Sequence, residues 1–283
     1  MHRYIISNSD EMKDVMNVFA MMKLCGYSDD EINIDIVPLF ETMEGLDKSE
    51  SVMKTLYSHP VYKKHLARRN NKQIIMLGFS DGTKDGGYLK ANWQIYTSKE
   101  KLTKISEENG MKVVFFDGRG GPPARGGGKT HDFYASQGKT IANNQIELTI
   151  QGQTITSVFG NKDQAKFNFE QLLTAGIEND VFKNIKKDLN ETERALITEL
   201  ADLSYQKYSD LKAHPMFVPY LQEMSTLEYY GRTNIGSRPS KRGAGSELKF
   251  EDLRAIPFVG SWSQLKQNVP GFFGFGFALK TLM

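Results

Sequence analysis

The chain has 283 residues, 39% hydrophobic and 25% charged, a balance that supports a sizeable core and excludes a disordered protein. Its formal net charge of +2 excludes a global basic field for nucleic acid or anionic lipid, so any anion affinity has to come from local clusters. The single cysteine, Cys25, excludes internal disulfides and cysteine-cluster metal sites; with no signal peptide and no apolar run of about 18 residues, a reducing, cytoplasmic setting is predicted and Cys25 is read as a small core residue.

In chain order, INIDIVPLF (32–40) predicts a strand in which Ile32, Ile34 and Ile36 alternate, ending at Pro38 or soon after, with Glu41 next. QIIMLGFS (73–80) is a continuous apolar run of the kind that buries both faces of a parallel strand, and it delivers Asp81. KVVFF (112–116) is similar and delivers a glycine-rich loop. Helical stretches over 47–69 and 87–108 separate these strands and are long enough for right-handed crossovers, giving βαβαβ. NQIELTIQGQTITSVFG (144–160) predicts a β-hairpin turning near Gly152. A helical block follows over about 163–229, with Leu196, Leu200, Leu203 and Leu211 read as a core-facing stripe. AIPFVGSW (255–262), with Arg254 just ahead of it, predicts a fourth buried strand.

The loop GRGGPPARGGGKTH (118–131) carries six glycines, two prolines and two arginines in its first eleven positions. Glycine lets backbone approach a ligand closely, and Arg119 and Arg125 offer forked donors suited to phosphate or carboxylate. A P-loop would need glycine where Pro123 stands, and a dinucleotide loop opening at Gly118 fails at the same position. A second basic turn, GSRPSKRGAG (236–245), holds Arg238, Lys241 and Arg242. Open α/β sheets and (β/α)8 barrels keep their sites at the carboxyl ends of strands, so Glu41, Asp81 and the glycine loop are predicted to share one rim. Two carboxylates with two arginine-bearing loops suit a small, multiply charged anion bound beside a divalent cation, although a lone acidic residue at a strand end also serves as a helix cap.

Taken in order, VPLFETMEGL, MLGFSDGTKDGGYLKANWQIY, FFDGRGGPPARGGGKTH, NNQIELTIQGQTI and GSRPSKRGAG followed by LRAIPFVGSWSQ resemble the catalytic half of the bacterial and plant type of phosphoenolpyruvate carboxylase. The resemblance runs from about residue 4 to the end. It implies an α/β fold, part of a (β/α)8 TIM-type barrel with helix-rich insertions and the hairpin, in a cytoplasmic homotetrameric enzyme. That enzyme uses Mg2+ or Mn2+ to join bicarbonate to phosphoenolpyruvate, giving oxaloacetate and phosphate by way of carboxyphosphate and a metal-bound enolate, an anaplerotic carbon-fixing step with no nucleic-acid or membrane partner. Residue by residue, Glu41 and Asp81 match the two metal carboxylates. Lys84 faces substrate or bicarbonate, and Arg125 and Arg238 match catalytic arginines. Arg119 and Arg254, with Gly120 and Gly121, match the phosphate subsite. On this reading 1–283 is one partial barrel domain: βα units to residue 143, the hairpin at 144–160, a helical block at 161–230, and the arginine motifs at 231–283.

Three departures qualify the resemblance. The family usually has histidine where this chain has Asp117, so an anion is expected beside the phosphate site. Lys129 stands where the family commonly has proline, adding one positive charge to the loop. The family's amino-terminal half, with its TAHPT-type histidine, and its carboxy-terminal helical region are not represented. A fragment with little activity alone is therefore expected, and a catalytically silent anion- or metal-binding remnant is the alternative.

Overall fold

The computed structural model describes residues 2–150, 153–182, 188–230 and 249–283. Its elements are β1 (Arg3–Ile6), α1 (Met12–Leu24), β2 (Asp35–Phe40), α2 (Met43–Ser58), α3 (Pro60–Arg68), β3 (Lys72–Gly78), α4 (Phe79–Gly86), α5 (Tyr88–Glu108), β4 (Lys112–Gly118), α6 (Thr130–Ala135) and β5 (Ile146–Leu148). Helices follow: α7 (Gln153–Phe159), α8 (Lys162–Val181), α9 (Glu191–Lys212), α10 (Phe217–Met224), α11 (Leu227–Tyr230), α12 (Ala255–Gln264), α13 (Val269–Phe272) and α14 (Phe275–Leu282). The chain forms two compact units: Met1–Gly78, Gln94–Arg119 and Gly128–Asp188 make the first, and Phe79–Trp93, Gly120–Gly127 and Leu189–Met283 the second. Among the described residues no helix is long and apolar enough to cross a membrane.

The first unit carries a five-stranded sheet in the order β1-β2-β3-β4-β5, every neighbouring pair parallel. The predicted βαβαβ is present, preceded by β1, which the sequence reading did not mark. All six residues of β2 are buried, and Val37, Ile74 and Val114, one from each central strand, form a core layer against Met76 and Phe116. Such strands bury both faces, which is why their sequences run apolar without alternation. The helices start where local chemistry allows. Thr42 Oγ1 accepts from Gly45 N at 2.9 Å to cap α2, and Pro60 opens α3, where its missing N–H costs nothing. Asn70 and Asn71 take left-handed backbone to turn the chain from α3 into β3.

The second unit is helical. Its core gathers Phe217, Leu221, Leu227, Leu253, Phe258, Val259 and Trp262, and takes in Ala124 from the glycine loop. Phe217 meets Phe250, Phe258 and Trp262 at ring-centroid distances of 6.0, 6.2 and 5.9 Å.

Four expectations are corrected. AIPFVGSW is not a strand: it lies in helix α12, because Ala255, Phe258, Val259 and Trp262 recur at i, i+3, i+4 and i+7 and all are buried. The hairpin is not formed either. Its first arm, β5, pairs parallel with β4, while its second arm is helix α7, tied to α8 by Asn168 Nδ2 donating to Val158 O at 3.0 Å and by contact between the Phe159 and Phe169 rings; the turn at Gly152 lies outside the described residues. The leucine stripe of α9 faces the core only in part: Leu211 packs against the core of the second unit and Leu200 and Leu203 are half-buried, but Leu196 is 50% exposed and the fully buried line is Ala201, Ser204 and Tyr208. Cys25 is exposed, at the carboxyl end of α1, instead of buried.

Candidate active site

In the first unit the predicted site residues emerge directly from strand ends. Glu41 follows the last residue of β2 and is only 4% exposed. Gly78 closes β3 against it so tightly that a Cβ built there would fall 2.4 Å from Glu41 Cβ and 2.9 Å from its Cα. Only glycine lets β3 end this close to the glutamate. Arg119 follows the last residue of β4, is 6% exposed, and holds its guanidinium carbon 4.0 Å from the centroid of the Phe133 ring in α6.

Asp117 is fully buried, with Lys99 Nζ 2.8 Å from Oδ1 and 2.9 Å from Oδ2 and the Tyr134 hydroxyl donating to Oδ2 at 2.9 Å. The negative charge expected at Asp117 is thus matched within its own surroundings. Lys99 is buried too, among the rings of Phe115, Phe133 and Tyr134. Burial pulls its ammonium below the ordinary lysine value, against the opposing pull of Asp117, and burial drives the Tyr134 hydroxyl well above the ordinary phenol value. An ion pair this deep stands only when its remaining lone pairs are satisfied, which Tyr134 helps to do.

In the second unit Asp81 occupies the first turn of α4, and Lys84, buried in its last turn, places Nζ 4.3 Å from the centroid of Phe250. Lys212 shares that ring at 5.2 Å and lies 3.5 Å from the Asp85 carboxylate. The glycine loop is folded on itself: Gly120 N donates to Arg125 O at 3.2 Å, Gly127 N to Pro122 O at 2.9 Å, and Pro123–Arg125 form one 3-10 turn. Ser80 Oγ adds a hydrogen bond to Arg125 O at 3.2 Å. Gly126 sits at φ +71°, where an added Cβ would fall 2.7 Å from Phe79 Cβ, so the turn requires glycine twice over. Burial lowers the Arg125 guanidinium below its ordinary value while the negative charge of Asp81 raises it, so these two groups are electrostatic neighbours. Arg254 stands at the N-cap of α12. Gly121 lies in the same turn, its carbonyl oxygen 2.1 Å from where a Cβ on Gly127 would be. Arg238 lies outside the described residues.

A profile of the phosphoenolpyruvate carboxylase family matches residues 1–283, the entire chain. The chain belongs to the phosphoenolpyruvate carboxylase family. It is 35% identical over 282 residues to the phosphoenolpyruvate carboxylase of Corynebacterium efficiens, an alignment covering 98% of this chain and 30% of that protein.

Within this phosphoenolpyruvate carboxylase family member, Glu41 and Arg119 belong to the first unit; Asp81, Lys84, Gly120, Gly121, Arg125 and Arg254 belong to the second. Gly120 and Arg125 are brought together by a hydrogen bond, and the Asp81 charge acts on the Arg125 guanidinium. Among the described residues no group of three or more His, Cys, Asp or Glu side chains could hold a metal ion. Sequence reading missed Lys99, Phe133, Tyr134 and Phe250. The signal available for Lys99 was a lysine in a helix whose partner, Asp117, ends an apolar strand; the aromatic residues gave none, because their roles come from packing.

Proposed function

We propose that this chain is part of the catalytic barrel of a phosphoenolpyruvate carboxylase, joining bicarbonate to phosphoenolpyruvate within the complete protein. The observation that carries this reading is the family match over every residue, which includes Glu41, Asp81 and Arg119 just beyond the ends of the consecutive parallel strands β2, β3 and β4. The strictly sequential strand order supports a barrel segment, since a doubly wound sheet reverses its order at a switch point. The relative spans more than three times the matched length, so carboxylation is an activity of the longer protein.

Glu41 and Asp81 would hold Mg2+ or Mn2+. Hard oxygen donors suit such ions, and magnesium commonly takes one or two carboxylates plus substrate oxygens and water, so each of these carboxylates is a donor of the type the ion takes. Bound there, the ion would supply charge neutralisation during phosphoryl transfer and Lewis-acid stabilisation of an enolate oxygen. Arg119, with its face on Phe133, would bind phosphoryl oxygens through the N–H groups at its edge, and Arg254 would add a second donor. A bicarbonate oxygen attacks phosphorus as the bond to the enol oxygen breaks, giving carboxyphosphate and the pyruvate enolate. Carboxyphosphate then releases CO2 and phosphate, the bicarbonate proton leaving on phosphate, and C3 of the enolate forms the new bond to CO2. Lys84 would orient bicarbonate, while Arg125 and Arg238 would balance charge around carboxyphosphate. Closure by the glycine loop would keep out water, which would otherwise protonate the enolate to pyruvate.

Titration calorimetry of the chain with Mn2+ and phosphoenolpyruvate tests this reading. Metal-dependent binding that disappears in Asp81→Asn is the expected result. A folded chain that binds neither would refute a preformed site. In a complete enzyme, Arg125→Ala is expected to keep phosphoenolpyruvate binding and lose oxaloacetate formation. Undiminished oxaloacetate would remove Arg125 from the chemistry. The compensated Asp117 also withdraws one of the reasons for regarding the chain as a silent remnant.

A further inference from the structure

Two adjacent residues of α6 serve different ends. Tyr134 is buried, donates its hydroxyl to Asp117 Oδ2, and through its carbonyl accepts from Asn179 Nδ2 at 2.6 Å. It is therefore fastened both to the end of β4 and to α8. Phe133 is half-buried and meets the Tyr134 ring edge to face, with centroids 5.0 Å apart and planes at 80°. The Arg119 guanidinium lies over this second ring, and Lys99 Nζ stands 5.2 Å from the same centroid.

We infer that Phe133 is the platform that orients Arg119, and that Lys99, Asp117 and Tyr134 are the positioning residues that fasten this platform to the end of β4. The inference rests on the assignment of Arg119 to the phosphate subsite in the proposed function. Asp117 is then no part of the ligand surface. Its charge is matched by Lys99, so the positive charge of Arg119 is not cancelled by the carboxylate two residues before it. The face of a guanidinium rests on an aromatic ring without using its N–H donors, which project in the plane of the group and match phosphate oxygens in pairs. The ring thus limits the tilt of the arginine while sparing the groups that recognise the ligand. Lys99 and Asp117 fill the space behind the platform as a pair, and removing either leaves the other as an unmatched buried charge.

The test uses the whole chain with Mn2+ and phosphoenolpyruvate as probes, and compares Phe133→Leu, Phe133→Tyr and Asp117→Asn. Two quantities are read: the phosphoenolpyruvate Kd by calorimetry, and the NMR position of the Arg119 Nε–H resonance without ligand, assigned with Arg119→Lys. A ring-current displacement of that resonance is expected in the native chain and in Phe133→Tyr, and its loss in Phe133→Leu and Asp117→Asn. Phosphoenolpyruvate binding is expected to weaken about tenfold in Phe133→Leu, the scale of one cation–aromatic contact, and to be restored in Phe133→Tyr. An undisplaced native resonance, or native affinity in Phe133→Leu, overturns the inference. Phe133 is partly exposed, so the leucine variant keeps the test decisive if Asp117→Asn does not fold. If the native chain binds no phosphoenolpyruvate, the proposed function fails for this chain, and the resonance still decides whether Phe133 and Asp117 orient Arg119.

Discussion

Gly78 shows how one missing side chain can set the geometry of a site. Alanine there would drive a methyl group into the Glu41 backbone and Cβ, so Gly78→Ala is expected to lose about 1–3 kcal/mol of stability, read as a lower urea midpoint. His65 makes a prediction about pH. Burial, with the nearby Arg68 and Arg69 charges, pushes its imidazole down from 6.5 to about 4, and it packs against the rings of Phe19 and Tyr62. Above pH 6.5 the group is neutral whether the chain is folded or not. Between about 4 and 6.5 the unfolded chain takes a proton that the core refuses, so stability falls as pH falls through that window and levels off below it. His65→Phe is expected to remove up to about 1.4 kcal/mol per pH unit of that slope, measured by denaturation at several pH values. At this scale Glu41 and Asp81 were legible as charges at the ends of apolar runs, and Arg119 and Arg125 as the two arginines of a glycine-rich loop, because both patterns stand out in a linear sequence. Phe133 and Tyr134 were not, because an aromatic residue in a short helix looks the same whether it fills space or carries a guanidinium.

Elements were legible where length and flanking residues agreed. Three predicted strands match β2, β3 and β4 to within a few residues, and the long helical stretches between them are present. The failures share one cause: a short apolar run, such as AIPFVGSW, satisfies both helical and extended spacing, and only its neighbours decide between them. The hairpin failed because alternation in the first arm said nothing about which strand would pair with it. Helix α9 illustrates the opposite case, a boundary written plainly in the chain. Asn190 Oδ1 accepts from Glu193 N at 2.9 Å, and Glu193 Oε2 accepts from Asn190 N at 2.8 Å, a reciprocal capping box. Asn190→Ala is expected to cost about 1 kcal/mol, with faster amide exchange confined to the first turn of α9 as the confirming measurement.

At the scale of the whole molecule, α8 carries Phe169, Leu173, Ile177 and Val181 at four-residue intervals, all exposed. Apolar rows of this kind promote association, so the isolated chain is expected to sediment with increasing mass as its concentration rises, and Ile177→Glu to shift it toward the monomer. The sheet has a further consequence, for the order of events as the chain folds. Each strand pairs with its immediate predecessor, at a separation of roughly thirty to forty residues, so no pairing waits for a distant part of the polypeptide. A nascent chain leaving the ribosome can add one strand at a time to an edge that already exists. Its growing surface would be guarded at each step by the helices just made, and the interval in which a bare strand is open to misassembly would last only as long as the synthesis of one or two helices.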